Sequence, residues 1–96
     1  MVRVLVIYDV SSDEKRRRLS KTLEAMGLSR IQRSAFAGEM PAARMRDVER
    51  AASRIIDPRS DVVHIIPLGE RDWQARRVLG TPLWGDQLAG SLLVIA

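Results

Sequence analysis

The first residue that could do chemistry is Asp9, a carboxylate at the end of an apolar run, and the basic residues 15–18 follow it closely. A carboxylate is an oxygen ligand suited to Mg²⁺, and arginine presents a planar fork that fits phosphate oxygens. One carboxylate alone is a weak Mg²⁺ site, because the ion takes six oxygens and usually keeps several waters. The pattern favours phosphate chemistry at Asp9, with a simple cap on the turn into the next helix as the alternative.

Composition narrows the class of protein. The chain has 96 residues, a net charge of +4 and 16 basic residues, of which 14 are arginine. The absence of cysteine excludes disulfides, thiol catalysis and thiolate metal sites, and a single histidine excludes a multi-histidine zinc site within one chain. The arginine excess favours nucleic acid as a partner, with codon bias or adaptation to heat as the alternative source of the same excess.

The apolar run that carries Asp9 predicts the strand around which the chain is organised. Val2–Asp9 is β-branched or aromatic at five positions, which suits a strand better than a helix. Both of its alternating faces are mostly apolar, so each face needs a cover. We predict a central strand with helices on one face and a second subunit on the other.

A helix is predicted after this strand. Ser11 and Glu14 have the spacing of a capping box at its start, and Gly27 offers a left-handed residue to end it. The buried stripe is predicted to contain Leu19, Leu23 and Met26. Residues 30–40 then predict a second strand, with Phe36 as a core anchor. Four small residues there would allow close approach by another backbone: Ser34, Ala35, Ala37 and Gly38.

A second helix is predicted to open at Pro41 and to end at Asp57 and Pro58. Its inward face is predicted to contain Met45, Val48, Ala52 and Ile55, and its outward residues to include Arg46, Arg50 and Arg54. Residues 61–68 predict the next strand, in which His64 is expected to be a packed core residue.

The C-terminal part is harder to assign. Residues 73–79 fit either a short helix or an edge strand, and turn residues surround Trp84 in residues 81–90. Residues 91–96 form an apolar strand that must join a sheet, and we expect it to join that of a partner subunit. We predict one domain over residues 1–96. No signal peptide or membrane-spanning segment is visible, which predicts a cytoplasmic location without membrane contact.

Several motifs coincide in the first 40 residues, in an order and spacing that are more specific than any one of them. They are the strand ending Tyr8-Asp9, the helix with Arg16 and Arg18, and the run Gly27-Leu28-x-Arg30-Ile31-Gln32-x-Ser34-x-Phe36-x-Gly38. Together they resemble the Cas-two family, the small CRISPR-associated proteins that work with the Cas-one integrase when new spacers are acquired. The rest of the chain is similar in layout only.

The resemblance implies an α+β fold, a ferredoxin-like βαββαβ sandwich with two helices on one face of an antiparallel sheet. It also implies a homodimer in which the C-terminal strand pairs with the partner subunit. Members are described as metal-dependent endonucleases acting on RNA or duplex DNA, and as bridges that hold protospacer DNA between Cas-one integrase dimers.

The family's strand-end aspartate falls on Asp9, which the resemblance makes the catalytic residue and the ligand of Mg²⁺, with Mn²⁺ as a second possibility. It implies nucleic-acid contacts for Arg16, Arg18 and Arg30. Supporting roles fall on Tyr8, Ser34 and Phe36. The sequence departs from the family at Arg33, where a hydrophobic or aromatic residue is frequent, and after Leu68.

Three other classes compete with this interpretation. An RNA-recognition module of the same fold needs an aromatic trio that four aromatics in the whole chain do not provide. Phosphate-loop and dinucleotide fingerprints are absent. A non-catalytic, ferredoxin-like regulatory domain that binds a small molecule remains the alternative, because fold does not fix function. Catalysis and pure binding of nucleic acid both remain open as well.

Overall fold

The fold is built on an antiparallel sheet in which Val2–Asp9 is an inner strand. The computed structural model describes residues 1–82 and the backbone of a short strand at residues 93–94. The elements along the chain are β1 (Val2–Asp9), α1 (Asp13–Ala25), β2 (Ser29–Gln32), β3 (Ala35–Met40), α2 (Arg44–Ile55), β4 (Val62–Leu68), α3 (Glu70–Gln74), β5 (Val78–Leu79) and β6 (Leu93–Val94).

The strand order in the four-stranded sheet is β2-β3-β1-β4, and every neighbouring pair is antiparallel. Val6 in β1 lies opposite Phe36 in β3 and Ile65 in β4, so the predicted central position of the first strand is confirmed. Residues of both helices join one core with the even-numbered residues of β1. The order β1-α1-β2-β3-α2-β4 with both helices on one face confirms the predicted ferredoxin-like sandwich.

The first helix starts one residue later than the capping-box prediction requires. Ser12, not Ser11, is its N-cap, and the Ser12 hydroxyl accepts a hydrogen bond from the Lys15 amide at 3.3 Å. Ser11 instead donates its amide and hydroxyl to the Asp61 carboxylate. The predicted capping box was therefore wrong, because a distant carboxylate holds the serine. The predicted end is confirmed by Gly27, whose φ is +93°.

The single strand predicted over residues 30–40 was wrong, because this segment forms the hairpin of β2 and β3. The turn falls at Arg33 and Ser34, and the register shifts between Arg30 and Gln32. The expected close approach is present at Gly38. A Cβ there would lie 2.9 Å from a Leu28 methyl carbon.

The core lies between the helices and the sheet. Its largest fully buried side chains are Val4, Val6, Val10, Leu19, Leu23, Phe36 and Val48. Phe36 is fully buried, which confirms its prediction as a core anchor. The inward face of α2 is also confirmed, with Val48, Ala52 and Ile55 buried and Met45 partly buried against the same core.

The opposite face of the sheet, which we call the open face, carries apolar side chains at Leu5, Ile7, Val62 and Ile66. Ile7, Val62 and Ile66 are 40%, 44% and 36% exposed, which is high for large apolar residues. His64 lies opposite Ile7 and is exposed on this face, so its prediction as a core residue was wrong. Alternation along β4 gives the core positions to its neighbours Val63 and Ile65.

The segment after β4 contains both a short helix and a short strand, the two alternatives that its sequence allowed. α3 ends at Gln74 and β5 begins at Val78. Trp73 is buried, with the guanidinium carbons of Arg3 and Arg76 at 5.0 and 3.7 Å from its ring centroid. Arg3 also pairs with Glu39 at 2.8 Å and Glu70 at 2.9 Å, which ties α3 to β1.

β6 pairs in parallel with β5 of the same chain, through Val78 with Leu93 and Leu79 with Val94. Its pairing with a partner subunit stays a prediction, as does a single domain over residues 1–96. The predicted turn around Trp84 and the rest of the terminal strand lie outside the described residues. Within the described part of the chain, no helix is long and apolar enough to cross a membrane.

Candidate functional site

Asp9 is the last residue of β1 and is exposed at the edge of a cleft of about 520 Å³. Because β1 runs antiparallel to β3, its end lies beside the turn between β2 and β3, and the first turns of α1 close the other side. We call this the Asp9 cleft. Its lining residues are Tyr8, Asp9, Val10, Asp13, Arg16, Arg17, Ser20, Arg30, Arg33 and Ser34.

Arg30 is held at the cleft by a ring beneath it and a carbonyl beside it. Its guanidinium carbon lies 4.8 Å from the centroid of Phe36, and it donates a hydrogen bond to the carbonyl of Arg33. The Phe36 ring also stacks with Tyr8, with centroids 6.3 Å apart. Phe36 thus lies in the core beneath the cleft and supports the Arg30 guanidinium from below. Because the Arg33 carbonyl is uncharged, its hydrogen bond leaves the full positive charge of Arg30 in place.

The Tyr8 hydroxyl donates to the same Arg33 carbonyl over 3.4 Å. Burial raises the pKa of Tyr8, and this effect outweighs the opposing influence of the nearby Arg30 charge. Tyr8 therefore keeps its proton at neutral pH. In the cleft it serves as a hydrogen-bond donor that stabilises the β2–β3 turn, and it does not act as a base.

Arg16 points back onto the loop that follows Asp9. It donates to the Val10 carbonyl at 2.9 Å and forms an ion pair with Asp13. The carboxylate offsets part of its charge. Arg16 therefore fixes the loop between β1 and α1 and is less available to phosphate than its sequence position implied.

Arg17 lies in the cleft, whereas Arg18 does not. In a helix, Arg17 falls on the same side of the buried Leu19 stripe as Ser20, and Arg18 falls on the other side. A helical projection separates the two residues, and the packing of α1 beside the β2–β3 turn decides which of them lines the cleft. The predicted role of Arg18 in nucleic-acid binding is untested, and its position gives it no contact with the cleft.

The loop beside Asp9 has an anchor that the sequence interpretation missed. Asp61 accepts hydrogen bonds from the amide and hydroxyl of Ser11, both at 3.1 Å, and from the Asp57 amide at 2.9 Å. The Ser60 hydroxyl also donates to it, at 3.2 Å. These hydrogen bonds lower the pKa of Asp61 to about 2. The carboxylate joins the loop before α1 to the loop before β4.

The fit of the cleft to Mg²⁺ rests on Asp9. Among the described residues no group of three or more acidic, histidine or cysteine side chains could hold a metal ion. Asp13 also lines the cleft, but it forms an ion pair with Arg16. Asp9 lines the cleft as well and has no ion pair among the described residues. Mg²⁺ is often held by one or two carboxylates together with substrate phosphates and water, so Asp9 meets the minimum.

The fold and the cleft together define a ferredoxin-like protein with two carboxylates, Asp9 and Asp13, and four arginines in a cleft at the end of a central strand. The family model described as CRISPR associated protein Cas2 matches residues 1–76. The chain belongs to this family of CRISPR-associated proteins.

Individual proteins agree with the assignment. The chain is 33% identical over 84 residues to the CRISPR-associated endoribonuclease Cas2 of Korarchaeum cryptofilum, covering 88% of this chain and 90% of that protein. It is 37% identical over 60 residues to a Cas1/Cas2 endonuclease fusion of Thermoproteus tenax, covering 62% of this chain and 23% of the fusion. The crystal structure of Streptococcus pyogenes Cas2 is similar with a TM-score of 0.65 at 29% identity, over 74% of this chain and 89% of that one.

Proposed function

We propose that the protein acts in the cytoplasm, in CRISPR spacer acquisition, as a metal-dependent endonuclease that hydrolyses phosphodiesters of RNA or duplex DNA. The observation that carries the proposal is the position of exposed Asp9 in a cleft that also contains Arg16, Arg17, Arg30 and Arg33. The name of the Korarchaeum relative, an endoribonuclease, supports the nuclease assignment.

The residues of the Asp9 cleft have separate roles in this proposal. Arg17 and Arg33 bind phosphate oxygens, because neither has an ion-pair partner among the described residues. Arg30 presents a fork that is already oriented by Phe36, so less side-chain entropy is lost on binding. Tyr8 holds the carbonyl that orients Arg30.

Asp9 would hold Mg²⁺ or Mn²⁺ together with phosphate oxygens of the bound strand and water. When bound, such an ion lowers the pKa of a coordinated water and offsets charge that develops on the phosphate. The arginines then stabilise the remaining negative charge of the phosphodiester. The Asp61 anchor keeps the backbone next to Asp9 in place during this step.

We further propose a homodimer formed through the open face. Exposed Ile7, Val62 and Ile66 give this face a surface that favours a second copy. A two-fold axis near the end of β1 would bring two Asp9 carboxylates together and double the ligands for one ion. Residues 91–96 would complete the partner's sheet. Their removal should weaken association, and an unchanged, well-folded dimer would count against that exchange.

Cleavage of short RNA and duplex DNA tests the catalytic proposal. Wild type, Asp9→Asn and the control Asp72→Asn, an exposed carboxylate on α3, are compared with Mg²⁺, with Mn²⁺ and with a chelator. We expect metal-dependent cutting by wild type and by Asp72→Asn, and a loss of at least 100-fold in Asp9→Asn, the scale of one catalytic group. Equal cutting by all three proteins would remove Asp9 from the chemistry.

A second candidate function is the holding of protospacer DNA between dimers of a Cas-one integrase, without cleavage. The Thermoproteus fusion supports this, since it joins Cas1 and Cas2 in one protein. If wild type does not cut either substrate, duplex binding and co-purification with a Cas1 integrase become the deciding measurements. Duplex binding that is unchanged by Asp9→Asn would favour a role in holding DNA without cleavage.

A further inference from the structure

The outward side of α2 carries a row of arginines that the Asp9 cleft does not use. Arg46, Arg50 and Arg54 are exposed and line a groove of about 430 Å³ together with Glu49 and Ser53. Successive members lie about 6 Å apart along the helix axis, because each step of four residues adds four rises of about 1.5 Å. None of these residues lines the Asp9 cleft. We call this set the α2 arginine row.

The three side chains have no ion-pair partner among the described residues. In contrast, Arg44 on the same helix approaches Asp47 at 3.9 Å, and Arg59 pairs with Asp57 at 3.2 Å. A row of like charges at spacings of four residues is mildly destabilising for a helix. Folding alone therefore gives no reason for an uncompensated row, and a negatively charged partner would supply one.

We propose that the α2 arginine row is a second phosphate-binding surface, which contacts the backbone of duplex DNA beyond the segment held at the Asp9 cleft. The proposal extends the nucleic-acid binding proposed above and rests on it. The groove offers positive, planar donors at regular spacing and no apolar side chain. Protein–protein interfaces usually combine arginine with buried aromatic anchors, and this groove has no aromatic side chain. The guanidinium fork matches phosphate oxygens, so a phosphate backbone fits this lining better than an acidic protein does.

The position of α2 agrees with a long and stiff ligand. α1 and α2 pack into one core on the same face of the sheet, and α1 also forms one wall of the Asp9 cleft. A duplex is stiff over about 150 base pairs, so one that occupies the cleft continues in a straight line beyond it. A duplex that ran from the cleft across the helix layer would bring its backbone to α2.

Salt-dependent binding with a charge-matched control tests the proposal. The row variant combines Arg46→Gln, Arg50→Gln and Arg54→Gln. The control combines Arg44→Gln, Arg59→Gln and Arg71→Gln, and so loses the same three charges from other exposed positions. Affinity is measured for duplex DNA of about 8 and about 30 base pairs from 50 to 300 mM salt, with circular dichroism as the check on folding.

For the long duplex we expect the row variant to lower the slope of log affinity against log salt by about 2 to 3, since each phosphate contact contributes about 0.9. The control should lower it by less than about 1, and the short duplex should show little difference between the variants. Equal slopes for the two variants on the long duplex would overturn the proposal. So would an effect seen with duplex RNA and not with DNA.

A single substitution that removes a negative charge provides a second test that does not depend on correct folding of the triple variant. Glu49→Gln removes the acidic residue within the row, while the hydrogen bond from the Ser53 hydroxyl to the Glu49 carbonyl can remain. We expect tighter binding of the long duplex, by about twofold to fivefold at 100 mM salt. Unchanged or weaker binding would contradict the proposal. Failure of wild type to bind any duplex would overturn the proposed function as well, which separates the two outcomes.

Discussion

Individual side chains at the Asp9 cleft differ in how far their charges are already engaged. Arg16 is tied to Val10 and Asp13, whereas Arg17 and Arg33 have no ion pair among the described residues. Arg30 keeps its charge but has a fixed direction because Phe36 and a carbonyl hold it. Neighbouring arginines with the same formal charge should therefore contribute unequally to binding.

Arg17→Gln and Arg18→Gln form a matched pair that tests this inequality. Both remove one charge from adjacent positions of α1, but only Arg17 lines the cleft. We expect Arg17→Gln to weaken RNA or duplex binding by about threefold to tenfold and to lower the salt slope by about 1, and Arg18→Gln to change it much less. Fluorescence anisotropy on both variants measures this. The reverse order would assign Arg18 the phosphate contact and remove Arg17.

Asp61 makes acid stability a test of the loop anchor. Its pKa falls from an ordinary value of 3.8 to about 2 in the folded protein, so its contribution is complete above about pH 4 and disappears between about pH 4 and pH 2. Urea unfolding should show Asp61→Asn to be less stable than wild type at pH 6, with the difference shrinking towards pH 2. A difference independent of pH would show that the carboxylate charge has no part in the anchor.

At the scale of elements, the β2–β3 hairpin is positioned by a close contact with the end of α1. Gly38 faces the turn at Gly27 and Leu28, where an added Cβ would meet the Gly27 carbonyl oxygen at 3.2 Å and a Leu28 methyl at 2.9 Å. Gly38 also lies opposite Val4 in β1. A Cβ at this position must therefore displace the Leu28 methyl and crowd the Gly27 carbonyl at the helix end.

We expect Gly38→Ala to lower the free energy of unfolding by about 1–3 kcal/mol, as overpacking of a well-packed site does. The control is Gly69→Ala, since a Cβ at Gly69 meets only the Asp72 carboxylate at 3.6 Å, and its cost should stay below about 1 kcal/mol. Chemical denaturation of both variants provides the comparison. If Gly38→Ala is as stable as wild type, the hairpin is not held by this contact.

At the scale of the whole molecule, the proposed homodimer has its contact on the open face. Ile66 lies on the edge strand β4 opposite Leu5, so a lysine there remains solvated in one subunit but would be buried between two. We expect Ile66→Lys to raise the dimer dissociation constant at least tenfold, about 1.4 kcal/mol, and to leave monomer stability almost unchanged. Sedimentation of this variant and of Ala42→Lys, an exposed control on the helix side, tests the prediction. Equal dimer dissociation constants for Ile66→Lys and Ala42→Lys would show that the dimer contact lies elsewhere.

Local patterns in the sequence were sufficient for much of the fold. The β-branched run of β1, the spacing of Val48, Ala52 and Ile55, and the left-handed Gly27 each act through neighbours in the chain. Their period and backbone preference therefore identify strand, helix and helix end without a partner. The order and spacing of the motifs in the first 40 residues likewise indicated the family to which the chain belongs.

Tertiary structure decided what depends on residues far apart in the chain. Ser11 lost its capping role because Asp61, fifty positions away, takes its hydrogen bonds. His64 is exposed because it lies on the face that α1 and α2 do not cover, which alternation alone cannot show. The choice of Arg17 over Arg18 as a lining residue follows from where α1 packs beside the β2–β3 turn. Asp9 itself was visible in the sequence, and Arg16 and Arg17 follow it closely in the chain. Arg30 and Arg33, in contrast, reach the cleft through the antiparallel pairing of β1 with β3, since pairing brings distant residues into contact.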